Sequence, residues 1–138
     1  MSRYYVGTSA LVKRLRVEDE TPHLEQFLRE RPGLELVSSE LLVTELRRVA
    51  LRLGTGAPEI ADQILRHIHL RRLTRPLLDA AGNLTPNGLR SLDAIHLATA
   101  LELRHDIEAI VVYDERLGEA ARLHGLTVVA PAAPTTPE

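Results

Sequence analysis

Ala109-Ile110-Val111-Val112-Tyr113-Asp114 is the stretch that decides the fold. Its apolar residues run on without alternating with polar ones, which suits a strand covered on both faces. Such strands belong to parallel sheets flanked by helices, and the neighbouring sequence agrees. Glu115 to His124 follows as a helix stopped by Gly125, and Leu126 to Val129 makes a last strand. Upstream, Leu89-Arg90-Ser91-Leu92-Asp93-Ala94-Ile95-His96-Leu97-Ala98-Thr99-Ala100-Leu101 reads as a helix apolar nearly all the way round, the mark of a buried helix.

Further out the same alternation continues. Tyr4-Tyr5-Val6 is a short β-rich run ending at Gly7, after which Thr8 or Ser9 caps a helix through Ala10 to Leu15. Thr21-Pro22 opens a second helix, closed by Pro32-Gly33, and Leu34 to Val37 is the next strand. Ser38 or Ser39 caps a helix reaching about Leu53, with Leu42, Leu46, Val49 and Leu53 as its apolar stripe. Pro58 starts another helix, a weak strand follows near Leu70 to Leu73, and Leu77 to Ala81 is a short helical piece. Strands alternating with helices give an α/β fold with a largely parallel sheet, expected as one domain over residues 1–130 with a proline-rich tail at 131–138.

The chain has 138 residues, enough for a real core, and with 3% aromatics that core must come from Leu, Val, Ile and Ala. A net charge of −2 excludes the strongly basic character of a protein that coats nucleic acid, so any contact with RNA or DNA must be a local patch. The absence of cysteine excludes disulfides and cysteine-ligated metals. No apolar run suggests a membrane span, and a strand-like run follows Met1 almost at once, so a cytoplasmic protein is expected.

Three acids stand out. Asp93 lies between Leu97 and Ala100 on a helical projection, so it is expected to face the packed side, where a carboxylate is costly unless a cation or several donors meet it. Asp114 stands where the apolar strand ends, the place where open parallel sheets form their sites. Glu45 borders the apolar stripe of its own helix. Crowded acids repel, and a hard divalent cation removes the difficulty, which points towards phosphodiester chemistry. Each acid also has a plainer role open to it. Asp114 can cap the following helix, Glu45 can pair with Arg48 or Arg52, and Asp93 can pair with a core-facing arginine.

Taken together, these residues resemble the PIN-domain family, and within it the VapC-type toxins of toxin–antitoxin pairs. The matching blocks are Tyr5-Val6-Gly7-Thr8-Ser9-Ala10-Leu11-Val12-Lys13, Ser38-Ser39 with Glu45-Leu46-Arg47-Arg48, Leu89 to Ala98, and Tyr113-Asp114-Glu115-Arg116-Leu117 with Ala120-Ala121 and Gly125. They occur in the family's order over residues 4 to about 130. The resemblance implies a three-layer α/β/α sandwich with a central, mostly parallel sheet of about five strands. It also implies a Mg²⁺- or Mn²⁺-dependent single-strand endoribonuclease, the toxin of a type II pair. Glu45, Asp93 and Asp114 fall on three of the family's four acidic positions and are the implied catalytic and metal-binding residues. The implied partners are an RNA substrate (tRNA or ribosomal RNA), a cognate VapB-type antitoxin and a second copy of the chain.

The sequence departs from the family where the first acid should stand, because Gly7 occupies that position. Losing one acid of four weakens the cation site. The alternative reading is therefore a catalytically inactive module that binds an antitoxin or RNA without cleaving. Whether Gly7 is an inactivating change or a natural variant stays open. A smaller departure is Val112, where many relatives carry a hydroxyl residue. An unrelated nucleotide-binding or receiver-like domain is disfavoured, since Gly7-Thr8-Ser9-Ala10 is not a G-x-G-x-x-G loop.

The six histidines lack the i, i+4 spacing of a helical zinc site, and His67 and His69 share no helix face. His96 is the one to watch, because it follows Asp93 in the same helix. Arg14 and Arg16, Arg47 and Arg48, and Arg71 and Arg72 read as solvated clusters, those nearest Gly7 and Glu45 being candidates for RNA phosphates.

Overall fold

The computed structural model describes residues 2–134. Five strands, β1 (Arg3–Val6), β2 (Glu35–Ser39), β3 (Ile68–Arg71), β4 (Ala109–Val111) and β5 (Val128–Val129), form one parallel sheet in the order β3-β2-β1-β4-β5. The helices are α1 (Thr8–Leu15), α2 (Thr21–Arg29), α3 (Leu41–Leu53), α4 (Ala57–Arg66), α5 (Arg75–Gly82), α6 (Ser91–Glu102) and α7 (Glu115–Leu123).

Side chains alternate across the sheet, and this sets the three layers. Val6 and Val111 face one core with Leu11 of α1, Leu24 of α2, Leu42 and Leu46 of α3 and Ile64 of α4. Tyr5, Ile110 and Val112 face the other core with Leu97 and Ala100 of α6 and Leu117 and Ala121 of α7. On that second side α5 lies against α6 through Leu77, Ala81, Ala94 and Ala98. The expected α/β/α sandwich around a five-stranded parallel sheet is the observed architecture.

Several element ends differ from expectation. Ser38 and Ser39 do not cap α3. They complete β2, and Glu40 stands at the cap. Buried Ser38 instead donates from Oγ to the Val6 carbonyl (2.8 Å), tying together the carboxyl ends of β1 and β2, while Ser39 Oγ accepts from the Leu41 N–H. Helix α1 begins at Thr8 with Gly7 as its cap, because Thr8 and Ser9 use their hydroxyls on distant partners. The third strand starts earlier, at Ile68, and the last is shorter than Leu126 to Val129.

Buried Lys13 of α1 fixes the following loop. Its ammonium lies 3.4 Å from Glu18, 3.2 Å from Glu20 and 4.5 Å from the centre of the Tyr113 ring, and it holds the Glu20 carboxyl below the usual range. Burial pushes the Tyr113 hydroxyl up to about 12, and that hydroxyl donates to the Pro131 carbonyl. Residues 131–134 carry no helix or strand, and the remainder of the expected tail, 135–138, lies outside the described residues.

Candidate active site

The strand order reverses at β1, since the chain builds outward through β2 and β3 and then returns to place β4 on the opposite side of β1. The crevice outside the carboxyl ends of β1 and β4 is therefore the place where such a sheet can receive a ligand. Gly7 closes β1 there, donating its N–H to the Val111 carbonyl (3.0 Å). Tyr113 leaves β4 with its N–H donated to Ser9 Oγ (2.9 Å), so the two strand ends are tied together by α1.

Asp114 is the residue after this turn. It caps α7, with Oδ1 accepting from the Leu117 N–H (3.0 Å), so the plainer capping role is realised. A cap uses one oxygen, and the other remains for a second purpose. Asp114 is exposed, and it lines a concavity of about 370 Å³ with Asp93, Arg90, Glu115 and Arg116.

Asp93 corrects an expectation. Helix α6 is indeed buried along Ala94, His96, Leu97, Ala98, Thr99 and Ala100. Its first turn, however, emerges at the crevice, with Ser91 and Leu92 exposed and Asp93 only half-buried. No core arginine meets Asp93. Desolvation pushes its carboxyl above the usual range, and the negative charges of Asp114 and Glu45 push the same way against partial relief from His96 and Arg90. No hydrogen bond contributes to that balance.

Glu45 reaches the crevice from the inner edge of α3, one residue before the fully buried Leu46. Its partner is neither Arg48 nor Arg52. Oε1 accepts from Thr8 Oγ1 (2.8 Å) and lies 2.6 Å from His96 Nε2. His96 Nδ1 in turn lies 2.6 Å from the Tyr5 hydroxyl. Burial raises the Tyr5 pKa, so this hydroxyl keeps its proton, and the nearby Ser38 and Thr99 hydroxyls already donate to the Val6 and Ile95 carbonyls. With the Tyr5 hydroxyl donating to Nδ1 and Nε2–H donating to Glu45 Oε1, every member of the chain has a partner. No buried side-chain polar atom among the described residues lacks a partner.

Thus Asp93 and Asp114 share one concavity, and Glu45 adds its charge while gripped by Thr8 and His96. Among the described residues, no three acidic or histidine side chains stand close enough to ligate one ion together. The donor set still fits a small hard cation, because Mg²⁺ usually takes one or two carboxylates directly and keeps several waters.

Sequence reasoning missed Tyr5 and Thr8 as supports, and Arg90 and Arg116 as cations at the rim. Arg90 had a readable signal, since it sits one helical turn before Asp93. Tyr5 had none, because its contact with His96 spans 91 residues. The arginines that were singled out largely pair with surface acids: Arg14 with Glu25, Arg16 with Glu18, Arg47 with Asp62 and Arg71 with Glu102.

Comparison with known proteins places the chain in a family. A PIN domain profile matches residues 4–123. Ribonuclease VapC46 of Mycobacterium tuberculosis is 40% identical over 132 residues, covering 96% of this chain and 100% of the relative. The chain is a VapC-type member of the PIN domain family. Ribonuclease VapC47 of the same organism is 39% identical, covering 94% of this chain and 97% of the relative. The fold of this PIN domain is also that of M. tuberculosis VapC20, described as a toxin that cleaves the sarcin–ricin loop, with TM-score 0.72, 16% identity, and coverage of 93% of this chain and 99% of that one. A toxin–antitoxin complex from Klebsiella pneumoniae contains a similar chain, with TM-score 0.68, 18% identity, and coverage of 93% and 97%.

Proposed function

We propose that this PIN domain is a Mg²⁺- or Mn²⁺-dependent single-strand endoribonuclease, the toxin of a type II toxin–antitoxin pair. Its substrate is a cellular RNA, tRNA or ribosomal RNA, and its partners are a VapB-type antitoxin and a second copy of the chain in the cytoplasm. No helix among the described residues is long and apolar enough to cross a membrane. Homologues named as ribonucleases that align over nearly their whole length support the reaction class.

The observation that carries the reading is Asp93. It is a half-buried carboxyl whose pKa is raised by burial and by Asp114, with no hydrogen bond to settle it, on the wall of an open concavity. Such a carboxyl lowers its free energy when a cation arrives. Asp93 and the free oxygen of Asp114 would hold the ion, with Glu45 adding its negative charge nearby. A bound divalent ion supplies charge stabilisation at phosphorus and a water of lowered pKa. The chain's own part is to fix the acids and receive the phosphate. Thr8 and His96 donate to one oxygen of Glu45 and leave the other for the cleft. Arg90 and Arg116 put positive charge on the rim beside Asp93 and Asp114, where a phosphodiester would lie.

Incubation with total RNA tests this directly. Cleavage is expected in Mg²⁺ and is expected to vanish in EDTA or in Asp93→Asn. Cleavage that persists in EDTA, or in the Asn variant, overturns the metal-dependent reading. One observation favours a second reading, an inactive module that binds an antitoxin or RNA without cutting: no acid stands at position 7, and Val112 packs over that position. It predicts no cleavage by the chain in any divalent metal, together with a stable antitoxin complex.

A further inference from the structure

We propose that Val112 sets the number of carboxylates this crevice can carry, and that Gly7 and Val112 act as one coupled unit closing the middle of the site. Gly7 has φ −86° and ψ 165°, a backbone conformation open to any residue, so no turn geometry demands glycine there. The demand comes from packing. A Cβ at position 7 would stand 2.6 Å from Val112 Cγ1, far inside contact distance, and 3.9 Å from Leu117 Cδ2.

Val112 has little freedom to yield. It is 2% exposed, and its χ1 is stiff because it is β-branched. Position 7 lies on the same sheet face as Tyr5, the face that also carries His96. A carboxylate there would stand at the carboxyl ends of β1 and β4, on the face that carries α6 and α7. The valine methyl fills that space with hydrocarbon. An acid restored at position 7 therefore requires Val112 to move or to be trimmed.

The inference rests on the metal reading above only for what the space would hold; the steric coupling stands apart from it. Two measurements separate them. First, thermal melts in EDTA compare Gly7→Ala in the parent and in a Val112→Ala background. The substitution is expected to lower Tm by several degrees in the parent and to cost little once Val112 is trimmed. An equal effect in both backgrounds overturns the proposal.

Second, calorimetric titration with Mn²⁺ compares Gly7→Asp with Gly7→Asp/Val112→Ala. The double variant is expected to bind at least about tenfold more tightly, since one more seated carboxylate raises the charge of the ligand set. Measurable but equal affinity in the two overturns the proposal. If the steric coupling holds while neither variant binds Mn²⁺, the Gly7–Val112 unit stands and the metal-dependent reading of the site falls.

Discussion

At the scale of single residues, the site is a problem in placing negative charge, and Asp93 and Glu45 solve it differently. Glu45 is met by donors from two other elements, Thr8 of α1 and His96 of α6, and His96 is itself oriented by Tyr5 of β1. Replacing His96 by Ala leaves the Tyr5 hydroxyl without its acceptor and a void beside the Tyr5 ring, so a loss of about 2–4 kcal/mol is expected from urea unfolding in EDTA. A loss below about 1 kcal/mol would mean that the relay contributes little to the fold. Asp93 receives no such donors, and its pKa is raised. In the pH range between its unfolded and folded values the folded state holds the extra proton. Its contribution to stability is therefore fully present below the unfolded value and is lost as pH rises through the folded one. Asp93→Asn should accordingly raise Tm at neutral pH in EDTA, with the gain fading as the pH falls through the raised folded value and gone below about 4. A gain independent of pH would contradict this account.

Among the elements, α3 shows how one helix serves the core and the crevice together. Leu42, Leu46 and Ala50 are fully buried against the sheet, and Glu45 emerges at the edge of that stripe. Leu46→Ala is expected to cost about 2–5 kcal/mol, whereas Leu51→Ala, at a position 62% exposed on the same helix, should stay within about 0.5 kcal/mol. Chemical denaturation of the two variants checks the contrast, and similar losses would contradict the assigned face. The apolar stripe of α3 and the continuous run in β4 were legible because burial leaves a periodic signature in sequence. Helix starts were less legible. Ser38-Ser39 looked like a cap, yet Ser38 spends its hydroxyl on a neighbouring strand, a partner 32 residues away. The direction of Asp93 was misjudged for a related reason: α6 is buried over most of its length, but its first turn opens onto the crevice.

For the molecule as a whole, the parallel order β3-β2-β1-β4-β5 brings the ends of β1 and β4 together, with Asp93 and Asp114 in one concavity there and Glu45 within electrostatic reach of Asp93. If this assembly receives a divalent ion, Mg²⁺ must raise the Tm of the parent by mass action. In Asp114→Asn that rise should shrink sharply, although Asn still caps α7 and the metal-free Tm should change little. An undiminished Mg²⁺ shift in that variant would remove Asp114 from the ion's ligands. The sequence by itself determined the alternation of elements, the covered parallel sheet and the three acids, because these depend on local periodicity and on residue type. It also exposed the glycine at the first acidic position. Only the tertiary structure decided what each acid meets, that His96 and Tyr5 hold Glu45, and that Val112 fills the space beside Gly7. Those relations join residues up to 105 positions apart, and hydrogen bonds and steric contacts at that separation leave no periodic trace along the chain.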